Sequence, residues 1–155
     1  MKKRQIGKLI PKGLLTLGIA IGLSLSAGIA TAQGEIAIVA NDTEVGPGEK
    51  FSAILVLNGT GRYDVYAGIT GGVFGNSIFA FDDTGGLIQW VPPALPPKLM
   101  DNVNLANQAT EEKIRILVPR ILLDGFGGSY VLLAALSTPG QLDFPVLDDL
   151  KVDIE

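Results

Sequence analysis

Residues 50–58 (KFSAILVLN) and 129–137 (SYVLLAALS) decide the fold of this chain. Each is a short apolar run bounded by glycine, asparagine or proline, which is typical of a β-strand. Neither run has the three-to-four-residue spacing of apolar positions that marks an amphipathic helix. Both therefore predict strands of a β-sheet protein.

Similar short runs recur along the chain, separated by clusters of glycine, proline, asparagine and aspartate. They predict six more strands, at residues 35–40, 62–70, 77–81, 87–91, 112–118 and 149–155. In the run at 112–118 the alternation places Ile114, Ile116 and Val118 on the inward face, and the polar segment 98–110 is predicted to be a loop. This spacing predicts an all-β protein, a two-layer antiparallel sandwich of about seven or eight strands. A small closed barrel is the alternative.

The first 32 residues have the features of a secretory signal peptide. Five basic residues occur within the first twelve positions, and the uncharged run 14–30 follows them. The sequence Ala30-Thr31-Ala32 then supplies small residues at the positions that signal peptidase prefers. We expect export to a secreted, periplasmic or cell-surface location, with contact to the membrane only during export. A retained membrane anchor is the alternative.

The segment 33–155 is long enough for one domain and is strongly acidic. It contains seven of the twelve basic residues and all sixteen acidic ones, a formal charge of −9. Such a charge argues against binding to nucleic acid, which requires a positive surface. The chain has neither histidine nor cysteine, which disfavours zinc, haem, thiol chemistry and Ser-His nucleophiles. We therefore expect no enzyme activity.

Two motifs resemble those of secreted bacterial immunoglobulin-like and fibronectin III-like modules. Residues 45–51 (VGPGEKF) look like the turn between the first two strands of such modules, and residues 123–130 (LDGFGGSY) look like their E–F corner. Residues 63–67 (YDVYA) resemble a further strand of these modules. The resemblance implies an immunoglobulin-like sandwich over residues 33–155, with the Tyr130 hydroxyl bonded back to the chain. It implies no particular activity, because such modules serve many functions.

The two deciding strands are apolar on both faces, whereas one face of a free-standing sandwich strand is normally polar. Ile54, Val56, Val131 and Leu133 should therefore lie outside the core. Exposed apolar patches on a secreted protein indicate a partner, either a second copy or another exported protein. A second copy would associate face to face or by donation of the strand 35–40, through Ile36 and Ile38. Alternatively, the connections at 71–97 or 98–110 cover these faces.

A small ligand is the other hypothesis. Tyr66 and Trp90 are predicted to be exposed aromatic residues whose rings could stack on sugars, and Asp82 and Asp83 are loop carboxylates of the kind that bind calcium. The structural alternatives are that the rings pack in the core and that the carboxylates stabilise turns. Because the acidic residues lack EF-hand spacing, we expect no cofactor and no metal site.

These observations lead to two predictions of function. The first is an exported, non-catalytic structural or interaction module, which includes a self-assembling subunit. The alternative is a small β-sandwich module that binds a glycan or calcium.

Overall fold

The protein folds mainly into β-strands. The computed structural model describes residues 33–155, and the predicted signal peptide at residues 1–32 lies outside the described residues. The strands are β1 (Glu35–Ala40), β2 (Glu44–Val45), β3 (Lys50–Asn58), β4 (Arg62–Gly71), β5 (Ile78–Phe81), β6 (Leu87–Trp90), β7 (Met100–Asn104), β8 (Ile114–Leu122), β9 (Gly128–Ser137) and β10 (Val146–Ile154). Three short 3₁₀ turns lie at Gly72–Phe74, Leu105–Asn107 and Thr110–Lys113.

The strands form two sheets of unequal width. The smaller sheet has the order β1-β3-β8, and the larger has the order β2-β10-β9-β4-β5-β6, with β7 paired to β4. All pairings are antiparallel except the short contact between β2 and β10. The prediction of an all-β protein with two antiparallel layers is confirmed. The strand count is higher than predicted, because β2 and β7 were not recognised.

The core lies between the sheets, and alternate side chains of the two deciding strands point into it. On β3, Phe51, Leu55 and Leu57 point inward and are buried. Leu132 and Leu136 do the same from β9. Burial of each large aliphatic side chain contributes about 1.5 to 3 kcal/mol, so these strands hold the layers together.

The inward face predicted for β8 was partly wrong. Ile114 and Ile116 are 44% and 66% exposed, and Leu117 is buried instead. The reason is a pair of register shifts in the pairing of β3 with β8, beside Ala53. Such bulges add a residue and reverse the alternation locally, which a regular pattern does not anticipate.

The segment predicted as a loop at 98–110 contains β7. Tyr63 of β4 pairs with Val103, and Arg62 pairs with Asn104. Leu99, Met100 and Leu105 are buried, so the segment also contributes to the core. The sequence of β7 is polar and shows no alternation. Its place in the sheet is set by pairing with β4 and not by a pattern of its own.

Both long edges of the smaller sheet are blocked against further strand pairing. On β1, the backbone N–H of Ile38 donates to the Asp148 carboxylate of β10 at 2.7 Å. On β8, the register shifts and Pro119 interrupt the regular edge. Ile36 and Ile38, which were predicted to contribute to donation of this strand to a neighbour, are buried in the core of their own chain, where β1 pairs with β3.

Candidate functional site

The first candidate site is the outer face of the smaller sheet. Six apolar side chains from three strands form two cross-strand rows on this surface, which we call the β1–β3–β8 face: Ala37, Val56 and Ile114 in one row, and Val39, Ile54 and Ile116 in the other. Directly opposed side chains in adjacent strands lie close enough to form a continuous surface.

The β1–β3–β8 face is open to solvent. Val39 is 48% exposed and Ile116 is 66% exposed, while Ile54 and Val56 are half-buried between them. Ile54 and Val56 therefore lie on the outer face, as expected. They are the central residues of the two rows, and no described segment covers these rows. Ile114 and Ile116 were missed as members of this face because the bulges of β8 turn them outward.

The second candidate site is an apolar groove of about 250 Å³ on the outer face of the larger sheet, which we call the aromatic groove. Gly68, Ala80, Leu133 and Ala135 are among the residues that line it, and the first two are paired partners in adjacent strands. The walls are formed by larger side chains: Tyr66, Trp90, Pro96 and Phe144.

Tyr66 and Trp90, two of the predicted ligand residues, thus line the same groove. Tyr66 is only 7% exposed, because the ring of Phe144 packs against it edge-on at 5.6 Å, so its predicted exposure was wrong. Trp90 is half-buried, and its Nε1 donates to the Ala94 carbonyl at 2.6 Å. The predicted outer residue Leu133 lines the groove, and Val131 lies beyond it, half-buried.

Segments beyond the sheet partly cover this surface, in contrast to the β1–β3–β8 face. Pro96 follows β6 in the proline-rich connection, and Phe144 precedes β10. The position of Pro96 agrees with the alternative that the connection at 71–97 covers an apolar face. Phe144 was not anticipated, because nothing in its local pattern signals a contact with a strand so distant in sequence.

Asp82 and Asp83 lie apart from the aromatic groove, so the predicted ligand set is divided. The Asp82 carboxylate accepts hydrogen bonds from the Thr84 hydroxyl and from the Gly86 and Thr84 N–H groups, and these bonds, the Thr84 hydroxyl first, lower its pKa. Its contacts are those of a turn-forming residue. Within residues 33–155, no group of three or more acidic side chains is placed to hold a metal ion.

A buried polar cluster holds the end of the sandwich that contains β7. The fully buried Asp64 carboxylate accepts from the N–H groups of Asn102 at 2.9 Å and Gly140 at 2.8 Å. Lys98 Nζ forms an ion pair with it at 2.8 Å. Burial raises the pKa of Asp64, but the Lys98 bond and the two N–H groups outweigh this effect and lower it. The cluster ties the β7 segment and the loop at Gly140 to β4.

Asp143 secures the same loop from outside the sheet. Its carboxylate accepts from the hydroxyl and N–H of Thr138 and from the Ser137 hydroxyl. These hydrogen bonds, the Thr138 hydroxyl first, lower the pKa of Asp143 to about 2.

We expect stability to fall in acid between pH 4 and pH 2. The pKa values of Asp64, Asp82 and Asp143 are lowered in the folded chain from an ordinary value of 3.8. The stabilisation from each is therefore complete above pH 4 and is lost as the pH falls through the folded pKa. Urea unfolding at a series of pH values measures this. Asp143→Asn should reduce the fall, and an equal fall in that variant would contradict the assignment.

Comparison with known proteins gives no assignment for this chain. No family model, curated protein or solved structure matches it. In the described part of the chain, no helix is both long enough and apolar enough to cross a bilayer.

Proposed function

We propose that this protein is an exported, non-catalytic structural or interaction module that associates with a second copy of itself through the β1–β3–β8 face. The observation that carries the proposal is the double row of apolar side chains exposed there. Contiguous apolar surface on a soluble protein is costly to hydrate, and burial against a partner recovers about 25 cal/mol per Å².

The shape of the smaller sheet supports face-to-face association rather than strand exchange. The Asp148 carboxylate occupies the free side of β1, and bulges with Pro119 interrupt β8. Such devices oppose edge pairing. The exposed row of Val39, Ile54 and Ile116 remains available, because sheets pack through their faces about 10 Å apart.

The proposed class is an immunoglobulin-like module, and one contact supports it. The Tyr130 hydroxyl donates to the Phe126 carbonyl at 2.7 Å, four residues upstream. This is the backbone bond that the resemblance at residues 123–130 implies for the start of that strand. Export is proposed from the charge and hydropathy pattern of residues 1–32.

Ile116→Lys should abolish self-association and leave the fold intact. Ile116 is 66% exposed, so a lysine there stays hydrated in the single chain but becomes buried in the associated state. Size exclusion with light scattering at several concentrations measures the mass. We expect a mass above that of one chain for the parent protein and a single-chain mass for the variant.

Val91→Lys is the matched control, because Val91 is 61% exposed and lies outside the β1–β3–β8 face. It should associate like the parent protein. A parent protein that remains a single chain at every concentration would contradict the proposal. So would an equal loss of self-association in Ile116→Lys and Val91→Lys.

The second candidate function is binding of a sugar in the aromatic groove. The observation that favours it is that Tyr66 and Trp90 line one groove with Phe144. Apolar faces of sugar rings stack on such side chains. Titration with cello-, chito- and malto-oligosaccharides should change the fluorescence of Trp90, the single tryptophan. Because the Trp90→Phe variant lacks this fluorescence signal, its affinity for the same oligosaccharides is measured by calorimetry. An absence of heat with every oligosaccharide at millimolar concentration would count against this candidate.

A further inference from the structure

We infer that two copies of this protein stack their β1–β3–β8 faces with opposite strand directions, so that each end of one face meets the other end of its partner. The inference rests on the proposed self-association and adds the orientation of the pair and the side chains that select it. A two-fold axis between the stacked sheets can run along the strands or across them. Along the strands, β1 lies over β8 and equal ends meet, which we call the same-end pair. Across the strands, β1 lies over β1 and unlike ends meet, which we call the opposite-end pair.

The two apolar rows differ in height, which favours the opposite-end pair. The row that contains Val39, Ile54 and Ile116 is the taller one. Val39 stands where the other row has Ala37, and Ile116 is 66% exposed, against 44% for Ile114. The opposite-end pair, centred between the rows, places each tall row over the low row of the other copy. The same-end pair would stack the two tall rows and leave a gap between the low ones, whereas close packing requires large side chains to face small ones.

One end of the face carries two cations that have no partner among the described residues. Lys50 lies on the outer side of β3 where the strand begins, and it lines a polar groove together with Arg120 of β8. Neither forms an ion pair within residues 33–155. Asp42 and Glu49 line the same groove, but both carboxylates accept from backbone N–H groups of their own turn. These four charges balance, so this end is close to neutral and presents two cations with free hydrogen-bond donors.

The other end of the face is acidic. Glu35 begins β1 and lies on its outer side. Glu111 and Glu112 lie at the same end, in the turn that precedes β8 and also contains Lys113. The same-end pair would set Glu35 of one copy over Glu111 and Glu112 of the other, and like charges so placed oppose association. The opposite-end pair sets the turn of one copy over Arg120 of the other, which brings a carboxylate to an unpaired guanidinium twice in each pair.

Charge reversal and its compensation test the orientation. Arg120→Glu should raise the dissociation constant of the pair about tenfold or more at low ionic strength, because it sets a carboxylate against Glu112, and the effect should shrink in high salt. Arg120→Glu combined with Glu112→Arg should return the constant to within about threefold of the parent value. Arg62→Glu, the same reversal at an exposed position of β4 in the larger sheet, is the matched control and should leave the constant unchanged. Light scattering over a dilution series measures these constants.

Crosslinking detects the orientation directly, because the chain contains no cysteine of its own. Ser52 and Asn58 lie on the outer side of β3, equally far along the strand from the centre of the two rows. In the opposite-end pair, Ser52 of one copy faces Asn58 of the other. A short bismaleimide should therefore join Ser52→Cys to Asn58→Cys in a mixture of the two variants and should join neither variant to itself. In the same-end pair, each variant would be joined to itself.

The outcomes distinguish failure of this inference from failure of the proposed function. If Ile116→Lys abolishes association but Arg120→Glu associates as tightly as the parent protein, the orientation is overturned and the proposed function stands. Crosslinking of Ser52→Cys to itself would have the same meaning. A parent protein that remains a single chain at every concentration would overturn both.

Discussion

Asp64→Ala should lower the free energy of unfolding by about 3 to 5 kcal/mol, which is a large part of the 5 to 15 kcal/mol typical of a small domain. The Asp64 carboxylate is fully buried and is the acceptor for the Asn102 and Gly140 N–H groups. Alanine would leave both donors without a partner and would remove one of the two carboxylates that bind Lys98. Unsatisfied buried donors cost about 1 to 3 kcal/mol each. Urea unfolding of the purified variant measures the loss.

The matched control for Asp64→Ala is Asp101→Asn. Asp101 binds the same lysine at 2.6 Å, but its side chain is 73% exposed. An ion pair in water contributes little, so we expect a small change in the urea midpoint. Equal losses in the two variants would show that the ion pair, and not the buried acceptor, stabilises this end of the sandwich.

Gly72→Ala should lower the free energy of unfolding by roughly 3 to 5 kcal/mol, through overpacking together with lost hydrogen bonds. Gly72 adopts a φ of +48°, where an L side chain is strained. A Cβ there would overlap the ring of Tyr130. That ring is buried, and its hydroxyl joins the Phe126 carbonyl to the Val73 N–H, so it cannot move without breaking both contacts.

Gly75→Ala separates the backbone effect from the steric effect. Gly75 also has a positive φ, +58°, but a Cβ there meets no atom within 4 Å. We expect a loss of about 1 to 2 kcal/mol from backbone strain alone. A difference of less than 1 kcal/mol between the two variants would mean that Tyr130 adjusts freely, contrary to its two hydrogen bonds.

Local pattern was sufficient for the strands that are continuous apolar runs bounded by turn residues. Residues 50–58 coincide with β3, and residues 129–137 with nearly all of β9, because one face of each strand packs against the core. The pattern failed at β8, where bulges reverse the inward and outward positions. It also failed at β7, whose place depends on pairing with β4 and on the Asn102 N–H bond to Asp64. These determinants lie far apart in sequence and leave no periodic signal.

The candidate sites were predictable to the same extent. Ile54 and Val56 could be assigned to an outer face because β3 is apolar on both sides. Their neighbours Ile114 and Ile116 could not, since the register of β3 with β8 decides their direction. Tyr66 could not be known to be buried without Phe144, whose ring packs against it.

The blocked edges of the smaller sheet also set the stoichiometry of the proposed assembly. Growth into a fibre requires two different surfaces, so that each added subunit exposes a new binding surface to the next. A single self-complementary face is used up once two subunits meet. With β1 closed by Asp148 and β8 interrupted by Pro119, the face is the one association surface that the smaller sheet offers among the described residues. Association through it therefore terminates at a pair, and the measured mass should level off at twice that of one chain however far the protein is concentrated.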